Sequence, residues 1–448
     1  MAKYQAYAEY KDSGVGFLGE IPEHWIVSKV KYLAPFQVGW TPPTKNDSNF
    51  IGDNLWVNIS DLKGKVINNT VKQISDKAAL EASMDITPKG SLMYSFKLSV
   101  GAVSFAGCDM YTNEAIASFL HSAKLPLSYL YYALPKFVIE NASTNIYGAN
   151  ILNQELIRNA LLVEIPYIEA EKIANFLDHE TAKIDHLIEK QQQLIELLKE
   201  KRQAVISHAV TKGLDPNVPM KDSGVEWLGE VPEHWEVSKF GYISQVVRGG
   251  SPRPAGDPTL FNGDYSPWVT VAEITKDDEL YLTSTETFLT KKGSEQCRVF
   301  KAGTLLLSNS GATLGVPKIL CIDANANDGV VGFEQLQIDI EFAYYYLSIL
   351  TNDLRERVKQ GSGQPNLNTD IVKNISIAIP PLSEIQLIVT EIKGQVEKFV
   401  SLIQKAERQI LLMQERRTAL ISAAVTGKID VRHWQALMVA GAQTELSA

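Results

Sequence analysis

The chain of 448 residues is too long for one ordinary hydrophobic core, so its length predicts several domains. With 45% hydrophobic and 21% charged residues, the composition is that of a globular protein and argues against extended disorder. No apolar run reaches the length of a membrane span and the start lacks an apolar signal core, so we expect a cytoplasmic protein without a membrane partner. The net charge of -9 argues against a broadly basic nucleic-acid binder.

Cysteine and histidine positions indicate neither a disulfide framework nor a metal site. The three cysteines, Cys108, Cys297 and Cys321, lie far apart and form no CxxC pair. His179 and His186 lie one heptad apart but lack the HExxH spacing of a helical zinc site. We therefore predict that this chain holds no metal.

A segment of twenty residues occurs twice along the chain. The first repeat element, residues 11–30, reads KDSGVGFLGEIPEHWIVSKV, and the second repeat element, residues 221–240, reads KDSGVEWLGEVPEHWEVSKF. Fifteen of the twenty positions are identical, which predicts a chain built from two similar halves. His24 and His234 lie in the shared PEHW motif, where we interpret them as parts of a structural turn beside a buried tryptophan.

A long helical pattern precedes a second duplicated segment in each half. EKRQAVISHAVT, residues 200–211, corresponds to ERRTALISAAVT, residues 415–426. Upstream of both, alternating steps of four and three residues define heptad a and d positions, of which seven in ten are apolar. The predicted seam residues are Ile173, Leu177, Ile184, Leu187, Leu194, Leu198 and Val205 in the first helix, and Ile388, Ile392, Phe399, Leu402, Ala406, Met413 and Leu420 in the second.

Each helical pattern runs about 40 residues without proline, which is roughly 60 Å of rod at ~1.5 Å per residue. A single amphipathic helix cannot bury its apolar stripe alone, so we predict that the two pack on each other as an intramolecular coiled coil. Two separate helices, each lying on its own domain, are the alternative. Further apolar residues beside the seam widen the stripe, so that another protein could dock there: Ile188, Ile195, Ile403 and Ile410.

The blocks between the duplicated segments, residues 31–165 and 241–380, predict a mixed α/β (α+β) fold. Short apolar runs bounded by Gly, Asn, Asp and Pro are typical of strands, and they occur at 55–59, 91–95, 304–308 and 318–322. Helical patterns follow late in each block, at 128–133 and 343–348. The blocks are alike in the order of their predicted elements but not in their residues, which suggests one scaffold that carries two different recognition surfaces.

The sequence lacks the motifs of the enzymes that act on DNA. There is no GK[ST] segment of a P-loop, and no Asn/Asp-Pro-Pro-aromatic tetrapeptide of a base methyltransferase. None of the nineteen prolines precedes an aspartate, as the PD-(D/E)xK nucleases require. We therefore expect a non-catalytic chain with no catalytic residues.

Three stretches together resemble the specificity subunit of type I restriction-modification enzymes, and the resemblance covers nearly the whole chain. They are KDSGV leading to PEHW at 221–235, GSGQPNLN running into IPPLSE at 361–384, and ALISAAVTGKID at 419–430. In that family, two target recognition domains read the halves of a split, asymmetric DNA sequence, and two long helices form an antiparallel coiled coil that fixes the gap between them.

The resemblance implies a pseudo-twofold internal repeat with defined domain boundaries. These are a first target recognition domain at 1–165, a first spacer helix at 166–212, a linker at 213–220, a second target recognition domain at 221–380, a second spacer helix at 381–428 and a C-terminal tail at 429–448.

The resemblance also implies partners. They are double-stranded DNA, two copies of a methyltransferase subunit that carries S-adenosylmethionine and methylates adenine, and restriction subunits that use ATP and magnesium to translocate and cut DNA. This chain itself would bind no cofactor. Two methyltransferase copies need two like docking surfaces, which the near-identical repeat elements and helices would supply, whereas the divergent blocks would face the DNA.

Neither block is broadly basic, because block 31–165 has eleven Lys and Arg against eleven Asp and Glu, and block 241–380 has twelve against sixteen. We therefore expect that partners supply most of the nonspecific attraction to DNA. Polar side chains in loops that contain glycine or serine are the candidate groove contacts, the long Lys and Arg donors above all. They are Lys63, Lys65, Lys97 and Ser99 in the first block, and Arg248, Arg253, Asn309, Ser310 and Thr313 in the second. Ordinary turn and surface residues are the alternative at each position.

Two further hypotheses come from other classes of protein. A non-DNA scaffold that gathers two copies of a partner through duplicated arms is favoured by the acidic balance and the long helices. A self-sufficient methyltransferase-nuclease is disfavoured by the absent motifs.

Asn153 and Asn368 precede short helical patterns, so we predict that both are helix N-caps rather than base contacts.

Overall fold

A computed structural model describes residues 4–144, 150–311, 313–359 and 366–435. The chain divides into two compact units, the first formed by Met1–Lys190 with Gln409–Ala448, and the second by Gln191–Arg408. Our domain boundaries follow the sequence repeat rather than spatial contacts and remain predictions. Within the described part of the chain, no helix is both long and apolar enough to cross a lipid bilayer.

The first unit contains fourteen strands among its described residues. They are β1 (Tyr10–Asp12), β2 (Glu20–Pro22), β3 (Ile26–Lys29), β4 (Phe36–Val38), β5 (Asn54–Val57), β6 (Val66–Ile67), β7 (Lys72–Ile74), β8 (Leu92–Ser95), β9 (Val103–Ala106), β10 (Tyr111–Thr112), β11 (Ile116–Phe119), β12 (Ser143–Thr144), β13 (Asn150–Ile151) and β14 (Leu161–Glu164). Its helices before the long one are α1 (Val30–Leu33), α2 (Asp76–Glu81), α3 (Leu127–Val138) and α4 (Gln154–Asn159), with 3₁₀ turns at Asp47–Phe50, Ile59–Asp61 and Ile139–Asn141. The long helix α5 (Tyr167–Lys212) follows.

The second unit contains thirteen strands among its described residues. They are β15 (Met220–Asp222), β16 (Glu230–Pro232), β17 (Glu236–Lys239), β18 (Gln245–Arg248), β19 (Phe261–Val269), β20 (Tyr281–Leu282), β21 (Phe288–Leu289), β22 (Val299–Phe300), β23 (Leu305–Ser308), β24 (Pro317–Leu320), β25 (Ala324–Ala326), β26 (Val330–Glu334) and β27 (Ser376–Ile379). Its shorter helices are α6 (Phe240–Ile243), α7 (Val271–Thr275), α8 (Lys291–Ser294), α9 (Ile340–Lys359) and α10 (Thr369–Lys373). The second long helix is α11 (Leu382–Val425).

Each unit is built around a five-stranded sheet of the same topology. The strand order is β4-β11-β8-β9-β6 in the first unit and β18-β26-β23-β24-β20 in the second, with one parallel pair at the same edge of each. The register also corresponds, because Leu92 lies opposite Phe119 and Leu305 lies opposite Phe333. The mixed α/β prediction is confirmed, and so is the expectation that the halves share a plan without sharing residues.

The central strands explain why the short apolar runs fold as they do. Strands β8 and β23 lie inside their sheets, and all four residues of each are buried. Asn153 and Asn368 cap the helices that follow them, each accepting a hydrogen bond from a backbone N–H three residues on at 2.8 Å. The N-cap predictions for both residues are therefore confirmed.

The two long helices begin and end in the same way. Helix α5 begins directly after Pro166 and helix α11 directly after Pro381, positions that suit proline because no helical N–H is lost there. Gly213 and Gly427 follow their ends with φ of 78° and 75°, a left-handed conformation that ends a helix at little cost for glycine.

The long helices pack antiparallel. In the first unit, Ile173 and Leu177 near the start of α5 share one core cluster with Ala424 and Val425 at the end of α11. In the second unit the ends are reversed, and residues 206–210 of α5 pack with residues 385–392 of α11. The predicted intramolecular pairing is therefore confirmed.

The strict heptad does not describe the whole seam. Leu187, Leu194 and Leu402 are 53%, 43% and 47% exposed, whereas Ile195, which lies outside the predicted heptad positions, is buried. The remaining predicted positions are buried (Ile173, Leu177, Ile184, Ile388, Ile392, Phe399, Ala406 and Leu420) or half-buried (Leu198, Val205 and Met413). A straight helix drifts by about 20° per heptad against a 3.5-residue repeat, which moves the buried stripe from position 194 to 195.

Candidate nucleic-acid interface

The first repeat element is fixed to the start of helix α5 by a buried carboxylate. Glu169 lies in the first turn of α5 and is 6% exposed. Its two oxygens accept hydrogen bonds from the Tyr7 hydroxyl at 2.7 Å and Trp25 Nε1 at 2.9 Å, and pair with His24 Nε2 at 2.8 Å. Burial and the hydrogen bond to Glu169 raise the pKa of Tyr7 far above its ordinary value, so this hydroxyl stays a donor.

The second repeat element makes a reduced version of this contact. His234 Nε2 lies 2.7 Å from Glu384 Oε2, in the first turn of helix α11. Trp235 is buried, but its Nε1 has no hydrogen-bond partner among the described residues, and the Glu384 side chain is 26% exposed. The shared PEHW motif thus has the same helix-anchoring place in both units, with more hydrogen bonds in the first.

Each repeat element also contacts the end of the opposite long helix. In the first unit, Lys428 Nζ donates to the Glu20 carbonyl at 2.5 Å, and the hydroxyl of Tyr10, directly before the repeat element, donates to the Gly427 carbonyl at 3.0 Å. In the second, Lys212 Nζ donates to the Glu230 carbonyl. Each element therefore joins the beginning of one long helix to the end of the other, which explains why its sequence occurs twice.

A hairpin loop leaves the central sheet of each unit at the same place, and the two loops share a backbone frame, meaning the strands they join and a corresponding backbone hydrogen bond. The first hairpin loop, residues 96–102, connects β8 to β9, and the second hairpin loop, residues 309–316, connects β23 to β24. In the first, the Gly101 N–H donates to the Ser95 carbonyl at 2.9 Å, and in the second the Gly315 N–H donates to the Ser308 carbonyl at 2.7 Å.

A glycine turn follows the edge strand of each sheet. At the first glycine turn, residues 39–41, a Cβ on Gly39 would lie 1.8 Å from the Thr112 carbonyl oxygen, so only glycine fits. At the second glycine turn, residues 249–251, a Cβ on Gly249 would lie 2.3 Å from a backbone oxygen. The turns therefore hold the same close backbone approach in both units.

The glycine turns place a hydroxyl against an acid. Thr41 Oγ1 donates to Glu114, and Ser251 Oγ donates to Asp328 Oδ1 at 2.6 Å. Lys97 Nζ, in the first hairpin loop, lies 3.9 Å from Glu114, and its side chain is 51% exposed. The first hairpin loop and the first glycine turn therefore meet at Glu114.

Two of the predicted DNA contacts of the second unit lie near Asp328. The hydrogen bond from Ser251 is the main cause that lowers the pKa of Asp328, and the charges of Arg248 and Arg253 lower it further against the effect of burial. Arg248 Nε donates to the Asp328 carbonyl at 2.6 Å, and the Arg253 backbone N–H donates to Gln296 at 2.9 Å. The structure therefore brings both arginines to the second glycine turn.

The other predicted contacts have different surroundings. Lys65 Nζ lies 2.6 Å from Asp178 of helix α5 and 5.4 Å from the centre of the Tyr131 ring, and Lys63 is exposed on the same loop. Ser99 is exposed in the first hairpin loop. Part of the cationic charge that we predicted for DNA is thus paired with the long helix.

The second hairpin loop has one buried and two accessible candidates. Asn309 is fully buried, and its side-chain N and O atoms have no partner among the described residues. Ser310 is half-buried, and its backbone forms an isolated antiparallel β-bridge with Asn366. Thr313 is exposed. Residues 361–365 of the GSGQPNLN stretch lie outside the described residues.

Sequence reasoning missed the glycine turns and their acids. A signal was present, because Gly39-Trp-Thr41 and Gly249-Gly-Ser251 are separated by the same 210 residues as the repeat elements. The partner acids carried no such signal, since Glu114 and Asp328 lie at a different offset and differ in type. Among the described residues, no cluster of His, Cys, Asp or Glu could hold a metal ion.

Comparison with known proteins agrees with this architecture. The family described as type I restriction modification DNA specificity domain matches residues 22–197 and again 232–412. The MjaIX specificity subunit of a type I restriction enzyme from Methanocaldococcus jannaschii is 25% identical over 445 residues, covering 96% of this chain and 99% of that protein. The MjaVIII specificity subunit of the same organism is 21% identical over 92% of this chain and 95% of that protein.

Two solved structures share the fold at 14% sequence identity. A chain described under complex assembly and conformational transition of the type I R-M system superposes with a TM-score of 0.71, covering 91% of this chain and 99% of that chain. The HsdS subunit from Thermoanaerobacter tengcongensis gives a TM-score of 0.53, covering 91% and 98%.

The chain belongs to the family of type I restriction-modification DNA specificity proteins and carries two copies of its characteristic domain. The resemblance seen in the sequence is thereby confirmed. A DNA specificity domain in both halves does not support the alternative of a non-DNA scaffold.

Proposed function

We propose that this chain is the DNA-reading subunit of a type I restriction-modification complex, in which each unit reads one half of a split, asymmetric site. The supporting observation is that the two units share one frame of sheet, hairpin loop and glycine turn but differ in the residues that the frame presents. A symmetric frame with unlike contact residues suits an asymmetric DNA sequence. The relatives' designation as specificity subunits supports the same function.

The duplicated parts of the chain suit two copies of one partner. The repeat elements are almost identical and each joins the two long helices, so the chain offers two like surfaces. We assign these surfaces to two methyltransferase subunits, which carry S-adenosylmethionine and the adenine-methylating site. Restriction subunits that use ATP and magnesium would join through the same assembly, and this chain would contribute recognition without a catalytic group.

Selection of DNA from a random pool tests this function directly. The chain is mixed with its methyltransferase subunit, and bound duplexes are sequenced after selection at moderate salt, because nonspecific binding falls steeply as salt rises. The expected result is a split motif with two unlike half-sites. Retention of random duplexes without any motif would support a scaffold instead.

Arg253, which we predicted as a groove contact, is exposed beside the second glycine turn, and we assign it to a phosphate rather than to a base edge. Arg253→Ala is expected to weaken binding of the complex almost equally for all duplexes, and to reduce the slope of log affinity against log salt by about one. The matched control is Arg298→Ala, which removes an arginine of the same unit that pairs with Glu334 at 2.9 Å. Equal salt slopes for wild type and Arg253→Ala would contradict the assignment.

A further inference from the structure

The same position of the two hairpin loops carries a leucine in one unit and a glycine in the other. Leu98 is the third residue after Ser95, and Gly311 is the third residue after Ser308. Both have a left-handed backbone, with φ of 57° at Leu98 and 80° at Gly311. The frame therefore requires a conformation that glycine adopts freely and a branched side chain adopts at an energetic cost.

Folding does not offset this cost at Leu98. The side chain is 91% exposed, so it gains almost nothing from burial within the chain. The second unit forms its own loop with glycine, and a Cβ at Gly311 would meet nothing within 4 Å. A strained and exposed leucine at a position where glycine is sufficient indicates a contact outside this chain.

The glycine turns show the same difference. Trp40 in the first unit corresponds to Gly250 in the second, since their backbone N–H groups donate to the Thr112 and Ala326 carbonyls, each at 2.9 Å. Trp40 is 55% exposed, and a Cβ at Gly250 would meet nothing within 4 Å. The first unit thus presents a large apolar side chain at both positions, Trp40 and Leu98, whereas the second unit has glycine at both.

Glu114 links the two apolar residues. Its carboxylate is bonded by Thr41 Oγ1 and lies 3.9 Å from Lys97 Nζ, and these residues are the direct chain neighbours of Trp40 and Leu98. Trp40 and Leu98 are therefore each next in the chain to a residue that contacts the same acid, at the junction of the first hairpin loop and the first glycine turn.

We propose that Trp40 and Leu98 are the apolar base-reading pair of the first unit and that they contact the C5-methyl groups of thymines in the major groove. This inference rests on the proposed DNA-reading function. The thymine methyl is the apolar group that base edges offer in that groove, and Lys97 beside the pair can reach a phosphate. A like protein partner would meet like residues in both units, so the difference at these positions favours DNA over the methyltransferase as the occupant.

The test compares selected motifs for the complex with its methyltransferase subunits. Leu98→Gly copies the second unit and removes the backbone strain, so its melting temperature is expected to equal or exceed that of the wild type. Its selected motif is expected to lose one or two thymine positions in one half-site, with the other half-site unchanged. Trp40→Gly is expected to affect the same half-site, whereas the control Leu80→Ala, which removes an 81% exposed leucine from helix α2, leaves the motif intact.

Duplexes with deoxyuridine in place of those thymines isolate the methyl group. Each replacement is expected to weaken binding by the wild-type complex about fourfold, the value for one buried methyl group, and to leave Leu98→Gly unaffected. An unchanged motif in both variants, or equal loss at both half-sites, would overturn this inference while leaving the DNA-reading function in place. A wild-type complex without any motif would refute both.

Discussion

Removal of one heptad from both long helices is expected to shorten the gap between the two half-sites by about 3 base pairs. Seven helical residues span ~10.5 Å, and successive base pairs lie ~3.4 Å apart along the duplex. Counting from the Arg417–Asp185 ion pair places residues 194–200 opposite residues 402–408, so deleting both segments keeps the antiparallel pairing intact. The half-site sequences are expected to stay the same, because neither segment belongs to a hairpin loop or glycine turn.

Methylome sequencing measures this result in cells that express the shortened chain with its methyltransferase subunit. Duplicating the same two segments is the matched control and is expected to lengthen the gap by about 3 base pairs. An unchanged gap in both variants would mean that the helices do not act as a spacer. New half-site sequences would mean that the deletion changed the recognition loops as well.

The larger architecture could be predicted because it depends on patterns that are local in sequence. The duplicated segments, the heptads and the apolar run at 91–95 each carry their signal within a few tens of residues. The prediction of an intramolecular pair needed only the physical point that an apolar stripe must be covered.

The drift of the seam from Leu194 to Ile195 could not be predicted in the same way. It depends on the true pitch of the helix, which differs slightly from the 3.5-residue repeat assumed in counting heptads. Both residues are apolar, so composition did not distinguish the buried position from the exposed one.

The candidate site was predicted less well because exposure and pairing are set by distant parts of the chain. Lys65 looked free in a glycine-containing loop, yet its ammonium pairs with Asp178, 113 residues away. Asn309 looked like a base reader, yet it is fully buried. Trp40 could be matched to Gly250 by the 210-residue offset, but its exposure could not be read from the sequence. Leu98 has no unusual sequence context, and only comparison of the two folded hairpin loops reveals that glycine occupies its position in the second unit.

The buried carboxylate at the start of helix α5 gives the second large effect. Glu169→Ala is expected to lower the free energy of unfolding of the first unit by about 3–5 kcal/mol, because it leaves buried donors of Tyr7 and Trp25 without a partner. Chemical denaturation followed by tryptophan fluorescence measures the loss. Glu169→Gln keeps a carbonyl acceptor in place and is expected to cost less.

The second unit supplies the matched control for this effect. Glu384→Ala removes the equivalent carboxylate, but its His234 partner is 44% exposed and Trp235 makes no bond to be broken among the described residues. Its expected cost is about 1 kcal/mol, the upper range for a solvent-exposed pair. Equal losses for Glu169→Ala and Glu384→Ala would contradict the argument, because they would show that the helix position rather than the buried hydrogen bonds determines the stability.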